Sequence, residues 1–563
     1  MQGETRSSTQ SDRSVLALVL ALWALWLPGL LGAGFLMDDR ELIFDNPLVA
    51  GDLPWTEAFA RDYFHHAGDA GAWRPLASLS LRLDHALFGS EPLGYHITNG
   101  LLHLGVLLAL GLLLAPRVPS RLALAGGLAC FGLHPALGDS VFWISGRTSQ
   151  LSCLAPLWAA VLLDRGRLTP LGAALVAGLG LGVGLSGKED ALVLAPLLFA
   201  LAPAGRRARL SVAGALALAG GLVFCARWRA LGGPFISAST PAMPGADFLE
   251  RAELGGLATW EALRLAWAPF DFPPQYTAAL LVERARPLTA GVAAALGWLL
   301  WSALWLPLGV CLALKRRAPL PAWAAAAVAF SWLPVAQIVP LGEVFAARFL
   351  YLPLLAAAPL SALAIARLTD TRLRAAVVAL LIAALFGGLQ VRAKIYDSRG
   401  AWRQEQLRHD PGDGASWNNL GLWFEELNEL PRARDAWRQG TAVAPRYSKN
   451  WSNLGRVALA AGEIERAREA WQRALLEGPQ NPVAHVNLAG LLLREGHTGR
   501  ALELYERAVS LAPGLAPAWL GLALARQSAG QTLGAEAAVN RALDLDPSNP
   551  GARLLLAELW RTP

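Results

Sequence analysis

Apolar residues fall in blocks over the first two thirds of the chain. Runs near the ~20 residues needed to cross a bilayer lie at 14–34, 97–115, 122–138, 149–163, 170–186, 190–203, 210–228, 288–314, 320–340, 349–366 and 375–391. This pattern predicts an all-α bundle of about eleven membrane helices, several of them short and marked by Gly and Pro. The first run is long and carries no Ala-x-Ala cleavage motif, so it is read as a retained helix rather than a signal peptide.

The polar segments between the runs alternate in charge. Arg117 and Arg121, Arg165 and Arg167, Arg206, Arg207 and Arg209, Lys315, Arg316 and Arg317, and Arg367, Arg372 and Arg374 occupy every second loop. Positive loops stay in the cytoplasm. The N-terminal tail, 1–13, is then inside, and everything after 391 is outside. Two long loops, 35–96 and 229–287, also face outward, with amphipathic pieces at 55–64 and 247–267 suited to the membrane surface.

Beyond residue 400 the period changes. Trp417, Trp451, His485 and Trp519 stand 34 apart, as do Pro445, Pro479, Pro513 and Pro547. Leu420, Leu454, Leu488 and Leu522 keep the register, and so do Ala433, Ala467, Ala501 and Ala535. A 34-residue unit with W-x2-L-G, a central Ala and a closing Pro is the tetratricopeptide signature, a helix pair stacked on its neighbours. The reading gives a membrane domain at 14–391, a linker at 392–413 and an array at 414–563 that ends in a capping helix.

Composition agrees with a membrane protein. Of 563 residues, 54% are hydrophobic and 16% charged, and mean hydropathy is +0.37. The net charge of +6 lies in the loops between apolar runs, so it speaks for orientation and not for nucleic acid. Abundant Ala, Leu and Gly, with Arg in place of Lys, point to a high-GC bacterial genome and hence an inner-membrane location. Cys130, Cys153, Cys225 and Cys311 form no CxxC and are expected to be buried thiols.

The conspicuous polar residues gather on the outer side: Asp38, Asp39, Arg74, Asp84, His134, Asp139, Ser145, Arg147, Lys188, Glu189, Arg348 and Tyr351. Each has an ordinary alternative. Arg147 or Arg348 can anchor at the interface, Lys188 can pair with Glu189, His134 can cap a helix, and Asp38–Asp39 can be solvated loop charge. One-sided clustering favours a site at the outer leaflet.

The stretches FLMDDRELIFDNP, WRPLASLSLRLDHALFG, GYHITNGLLH, LHPALGDSVFWISGR, GKED and RFLYLP, followed by the repeats, resemble the transmembrane and tetratricopeptide-repeat O-mannosyltransferases, and most of all their bacterial relatives. The resemblance spans nearly the whole chain with motif order kept. It implies the GT-C superfamily and a polyprenyl-phosphate sugar, a mannose or another hexose, as co-substrate. It also implies an acidic catalytic pair at Asp38 and Asp39, and donor-phosphate contacts from the set Arg74, His134, Arg147, Lys188, Glu189, Arg348 and Tyr351. Two departures stand out: Thr148–Ser149 where the family often has Lys-Asp, and Leu137 where it often has a second His.

Transfer of a sugar to a Ser or Thr hydroxyl needs one base and cations for the departing phosphate. One displacement inverts the anomeric centre, so a retaining carboxylate pair is unnecessary. The reading leans to Asp39 as the base without a deciding feature. It calls for no metal, although the carboxylates have the chemistry to bind a divalent ion. Asn419, Asn453 and Asn487 recur on the first helices of three repeats and are candidates to hold an acceptor protein's backbone; Asn is also common at that repeat position. Two other readings stand beside the enzyme: a membrane-anchored scaffold with a degenerate GT-C core, and a transporter. The transporter would require charges at mid-membrane and repeated halves.

Overall fold

The computed structural model describes residues 2–64, 71–166, 168–232, 247–307, 310, 320–333 and 344–560. They divide into two compact units, Met1–Trp402 and Arg403–Pro563. Among the described residues every regular element is helical.

In the first unit, five helices are long and apolar enough to span a bilayer: Pro92–Leu114, Pro170–Gly187, Arg206–Leu231, Ala347–Ala366 and Thr371–Tyr396. A sixth candidate is the pair Arg121–Gly132 and Pro135–Val141, bent by 44° where Pro135 removes a helix donor. The expected run at 190–203 is no single helix. It forms a 3-10 turn, Glu189–Leu194, and a short helix, Ala195–Ala200. Parts of the expected runs at 288–314 and 320–340, along with Cys311 and the charged loop 315–317, lie outside the described residues. Helix Gln2–Ala24 takes in the expected tail. Of the cysteines, Cys153 is buried, Cys130 half-buried and Cys225 exposed; the last sits on Arg206–Leu231, whose Leu218, Leu222 and Phe224 also face outward.

Small residues bring the site's helices together. A Cβ on Gly180 would stand 2.5 Å from Ala159 Cβ, and one on Gly184 would stand 2.6 Å from Pro156 Cγ. Helix Pro170–Gly187 therefore lies against Thr148–Asp164 at a distance that bulkier residues forbid. The close approach carries Lys188, at the end of one helix, to Ser149, at the start of the other. The first helical segment is pinned by Trp23 Nε1 donating to Gly100 O at 2.7 Å and Trp26 Nε1 to Gly132 O at 2.6 Å.

Residues 392–413, expected as a linker, hold the end of the last long helix, a 3-10 turn at Lys394–Tyr396 and helix Arg399–His409. The array follows as pairs Gly414–Glu426 and Leu430–Val443, Ser448–Ala460 and Ile464–Glu477, Pro482–Arg494 and Thr498–Leu511, and Ala516–Ser528 and Thr532–Leu545, closed by Pro550–Leu559. Its period is also a period of hydrogen bonds. Trp417, Trp451 and Trp519 each donate Nε1 to the Pro carbonyl six residues back, at 2.9, 3.0 and 2.8 Å. His485 does the same to Pro479 at 3.0 Å, and Arg553 to Pro547 at 2.9 Å. Between paired helices the chain turns through positive φ at Asn428 (60°), Gly462 (77°), Gly496 (83°) and Gly530 (72°). Asn is the side chain that tolerates the left-handed region best, which is why it replaces Gly there.

Candidate active site

The chain leaves the first helices through Met37, whose φ of 43° is rare for a residue with a side chain. That turn folds Asp39 back on the segment it has just left. Asp39 Oδ2 accepts from Leu36 N at 3.0 Å, and Oδ1 accepts from Ser145 N, also at 3.0 Å. Ser145 belongs to the 3-10 turn Ile144–Arg147, more than a hundred residues away. Its hydroxyl lies 3.4 Å from Asp38 Oδ1. One serine thus touches both carboxylates.

Their environments differ. Asp39 is 1% exposed, whereas Asp38 is only half-buried. Burial first, and the charge of Asp38 second, push the Asp39 carboxyl well above the ordinary range. Adjacent carboxylates resist double ionisation. Here burial makes Asp39 the one that resists ionisation.

Arg147 is 0% exposed and committed to the protein. Nη1 donates to Asp84 Oδ2 at 2.6 Å and Ser80 Oγ at 3.3 Å, Nε to Ile144 O at 3.2 Å, and Nη2 to Tyr95 O at 3.2 Å. Every one of its nitrogens is engaged within the protein, which fixes the turn that carries Ser145. Two further residues of the expected set lie in the interior. His134 accepts from Ala136 N at 3.3 Å and caps the 3-10 turn Pro135–Leu137. Tyr351, 1% exposed, donates to His103 Nδ1 at 3.0 Å and packs on Phe131 within the bundle.

The other cations lie in loops and at helix ends. The Arg74 guanidinium stands 5.7 Å over the Tyr63 ring. Lys188 pairs with Asp190 at 2.9 Å rather than with Glu189, and lies 3.5 Å from Ser149 Oγ. Glu189 instead meets Arg227 at 3.5 Å, and Arg227 also donates to Gly71 O at 2.8 Å. Desolvation by the surrounding protein pushes the Glu189 carboxyl up; Arg74 first and Arg227 next more than offset it, and the carboxyl ends below its usual value. Arg348 lies 5.1 Å over the indole of Trp143, two residues before Ser145. Arg227 and Tyr63 are additions that the sequence reading did not single out. Arg227 was legible as a cation at the C-terminal end of the 210–228 run, and Tyr63 only as part of an amphipathic piece.

In the array, Asn453 Nδ2 donates to Asn418 Oδ1 at 2.8 Å, and Asn418 Nδ2 to Asn419 Oδ1 at 3.0 Å. Asn453 therefore spends part of its hydrogen bonding on joining two repeats, and Asn419 is held by its neighbour on the same helix. Asn487 stands half-buried one repeat further on.

Fold and site together define a helical membrane protein with an acidic centre in its first unit and a tetratricopeptide array as its second. Tetratricopeptide repeat models match residues 452–516 and 492–559. Part of the chain is similar to the transmembrane and tetratricopeptide-repeat O-mannosyltransferases. It is 34% identical over 201 residues to "Protein O-mannosyl-transferase Tmtc1" of Drosophila melanogaster, covering 34% of this chain and 23% of that one. It is 34% identical over 132 residues to Tmtc2 of the same species, covering 23% and 14%. To TMTC2 of Homo sapiens it is 39% identical over 94 residues, covering 16% and 11%. The matched segments thus span about a quarter or less of these relatives' length. Among solved structures, that of MamA resembles the chain with a TM-score of 0.23 and 21% identity, covering 27% of this chain and 82% of that one.

Proposed function

We propose that this protein is an inner-membrane glycosyltransferase of a bacterium. It moves a hexose, mannose by analogy with the printed names of its relatives, from a polyprenyl-phosphate donor to Ser or Thr of an extracytoplasmic protein. The observation that carries this reading is the meeting of Asp38 and Asp39 on Ser145. In the step proposed, Asp38 accepts the proton of the acceptor hydroxyl. The oxygen attacks the anomeric carbon, whose bond to phosphate oxygen breaks, and the polyprenyl phosphate leaves with the electron pair. Arg74, Lys188 and Arg348 are the cations suited to that phosphate, and Arg227 holds Glu189 beside them. Buried Asp39 orients Ser145 and keeps its own proton. Choosing Asp38 as the base reverses the preference drawn from sequence. The repeats recruit the acceptor.

The test is a transfer assay in membranes with defined polyprenyl-phosphate sugars and a protein acceptor. The expected result is donor-dependent labelling of Ser or Thr, lost in the Asp38→Asn variant. Transfer from a nucleotide sugar alone, or none from any lipid-phosphate sugar, would overturn the reading.

A further inference from the structure

Two buried polar atoms beside the aspartates have no hydrogen-bond partner among the described residues: the Tyr63 hydroxyl and Arg74 Nε. Buried polar groups in folded proteins are nearly always satisfied, so each exception asks for an explanation. Loose packing does not supply one here. Asp62 Oδ1 accepts from Phe64 N at 2.7 Å and Oδ2 from Ala72 N at 2.6 Å. Tyr63 N donates to Ala72 O at 2.6 Å. Trp73 Nε1 donates to Phe59 O at 3.0 Å. The backbone on both sides of Tyr63 is clamped, and its ring, 2% exposed, joins a small core with Leu42, Ile43 and Ile144. Those residues flank Asp39 and Ser145.

We propose that the Tyr63 hydroxyl and Arg74 Nε together grip one oxygen of the donor's phosphate, which makes Tyr63 a donor-binding residue. The proposal rests on the lipid-phosphate reading above. A neutral O–H and a cationic N–H suit an anionic oxygen, and the neutral partner adds a bond without placing another positive charge next to Asp38. Burial, and after it the charge of Asp38, disfavour the phenolate, so the hydroxyl retains the proton it must donate.

The experiment uses the full chain in lipid nanodiscs and the variant Tyr63→Phe, which deletes only the hydroxyl. Three quantities are measured: melting without ligand, affinity for a C55 polyprenyl phosphate, and competition by inorganic phosphate. The expected result is unchanged or higher melting temperature, because an unsatisfied group is gone, with affinity for both phosphates about 10-fold lower or weaker still. Donor KM should rise in the same proportion. Arg74→Lys keeps the charge but loses Nε, and its effect should be less than additive with Tyr63→Phe, since both donors serve one oxygen. Wild-type affinity for polyprenyl phosphate in Tyr63→Phe overturns the proposal alone. So does a variant that melts early or fails to fold, which would make the hydroxyl structural. Loss confined to the lipid ligand would set Tyr63 against the prenyl chain and likewise overturn it. A wild-type protein that binds no polyprenyl phosphate overturns the underlying reading as well.

Discussion

Arg147 and Asp84 form a fully buried ion pair at 2.6 Å that ties the Ser145 turn to helix Pro75–Phe88. Asp84 Oδ1 also accepts from Thr98 Oγ1 at 2.8 Å, so the pair reaches the helix Pro92–Leu114 as well. Removing one member of such a pair leaves an uncompensated charge in the interior.

Arg147→Ala is therefore expected to destabilise the first unit by about 3–5 kcal/mol. Its mark should be a lower melting temperature in detergent and less folded protein, with the folded fraction's donor KM little changed. Lys188→Ala is expected to act the other way, raising donor KM with a small loss of stability. A large donor KM effect in Arg147→Ala without lost stability would contradict its structural role.

The two aspartates should separate by stability. Asp38→Asn is expected to lower turnover at least about 10²-fold, the lower end for losing a general base, and to melt as the wild type does. Asp39→Asn replaces one acceptor oxygen with a donor nitrogen facing a backbone N–H. It should cost about 1–3 kcal/mol of stability along with its activity. Equal melting temperatures for the two variants would refute the division of labour.

Stability should also depend on pH through Asp39. Its folded carboxyl sits above its unfolded value, by burial and by Asp38. Below the ordinary aspartate range both states hold the proton and the contribution is fully present. As pH rises past that range, the unfolded chain releases its proton first, and stability falls until the folded carboxyl titrates in turn. Unfolding measured from about pH 4 to 7 should show this decline in the wild type and lose it in Asp39→Asn.

The array offers a clean separation of recruitment from chemistry. A Cβ on Gly455 would stand 2.4 Å from Trp471 Nε1, and that indole is buried and held by Ser452 O at 3.0 Å. Gly455→Ala is expected to cost the array about 1–3 kcal/mol by overpacking. Helical unfolding of the second unit should then move to lower temperature. KM for a protein acceptor should rise, while polyprenyl-phosphate binding stays unchanged.

The aspartate pair was legible because adjacent carboxylates at the end of an apolar run are costly and conspicuous. The repeats were legible because four copies of one spacing leave no second interpretation. The structural bonding of Arg147 was not legible, because the sequence displays a cation near an apolar run and hides Asp84, its partner from another helix. The break at 189–200 was hidden as well, since hydropathy records apolar length and not whether the backbone stays helical. Tyr63 could not be found from sequence, because an unsatisfied hydroxyl exists only once the surrounding chain has folded. The choice between Asp39 and Asp38 had no deciding feature in the sequence for a related reason: burial distinguishes two neighbours that composition cannot tell apart.

The bond from Ser145 N to Asp39 Oδ1 has a consequence for biosynthesis. The ribosome makes Asp39 long before Ser145, and the intervening helices must enter the bilayer before the two can meet. Until then Asp39 has only the local bond from Leu36 N, and Asp38 lacks the serine hydroxyl. Insertion of the Ile144–Arg147 turn would act as the moment of commissioning. A chain stalled or misinserted before that point would hold Asp84 by Thr98 alone, without the guanidinium of Arg147.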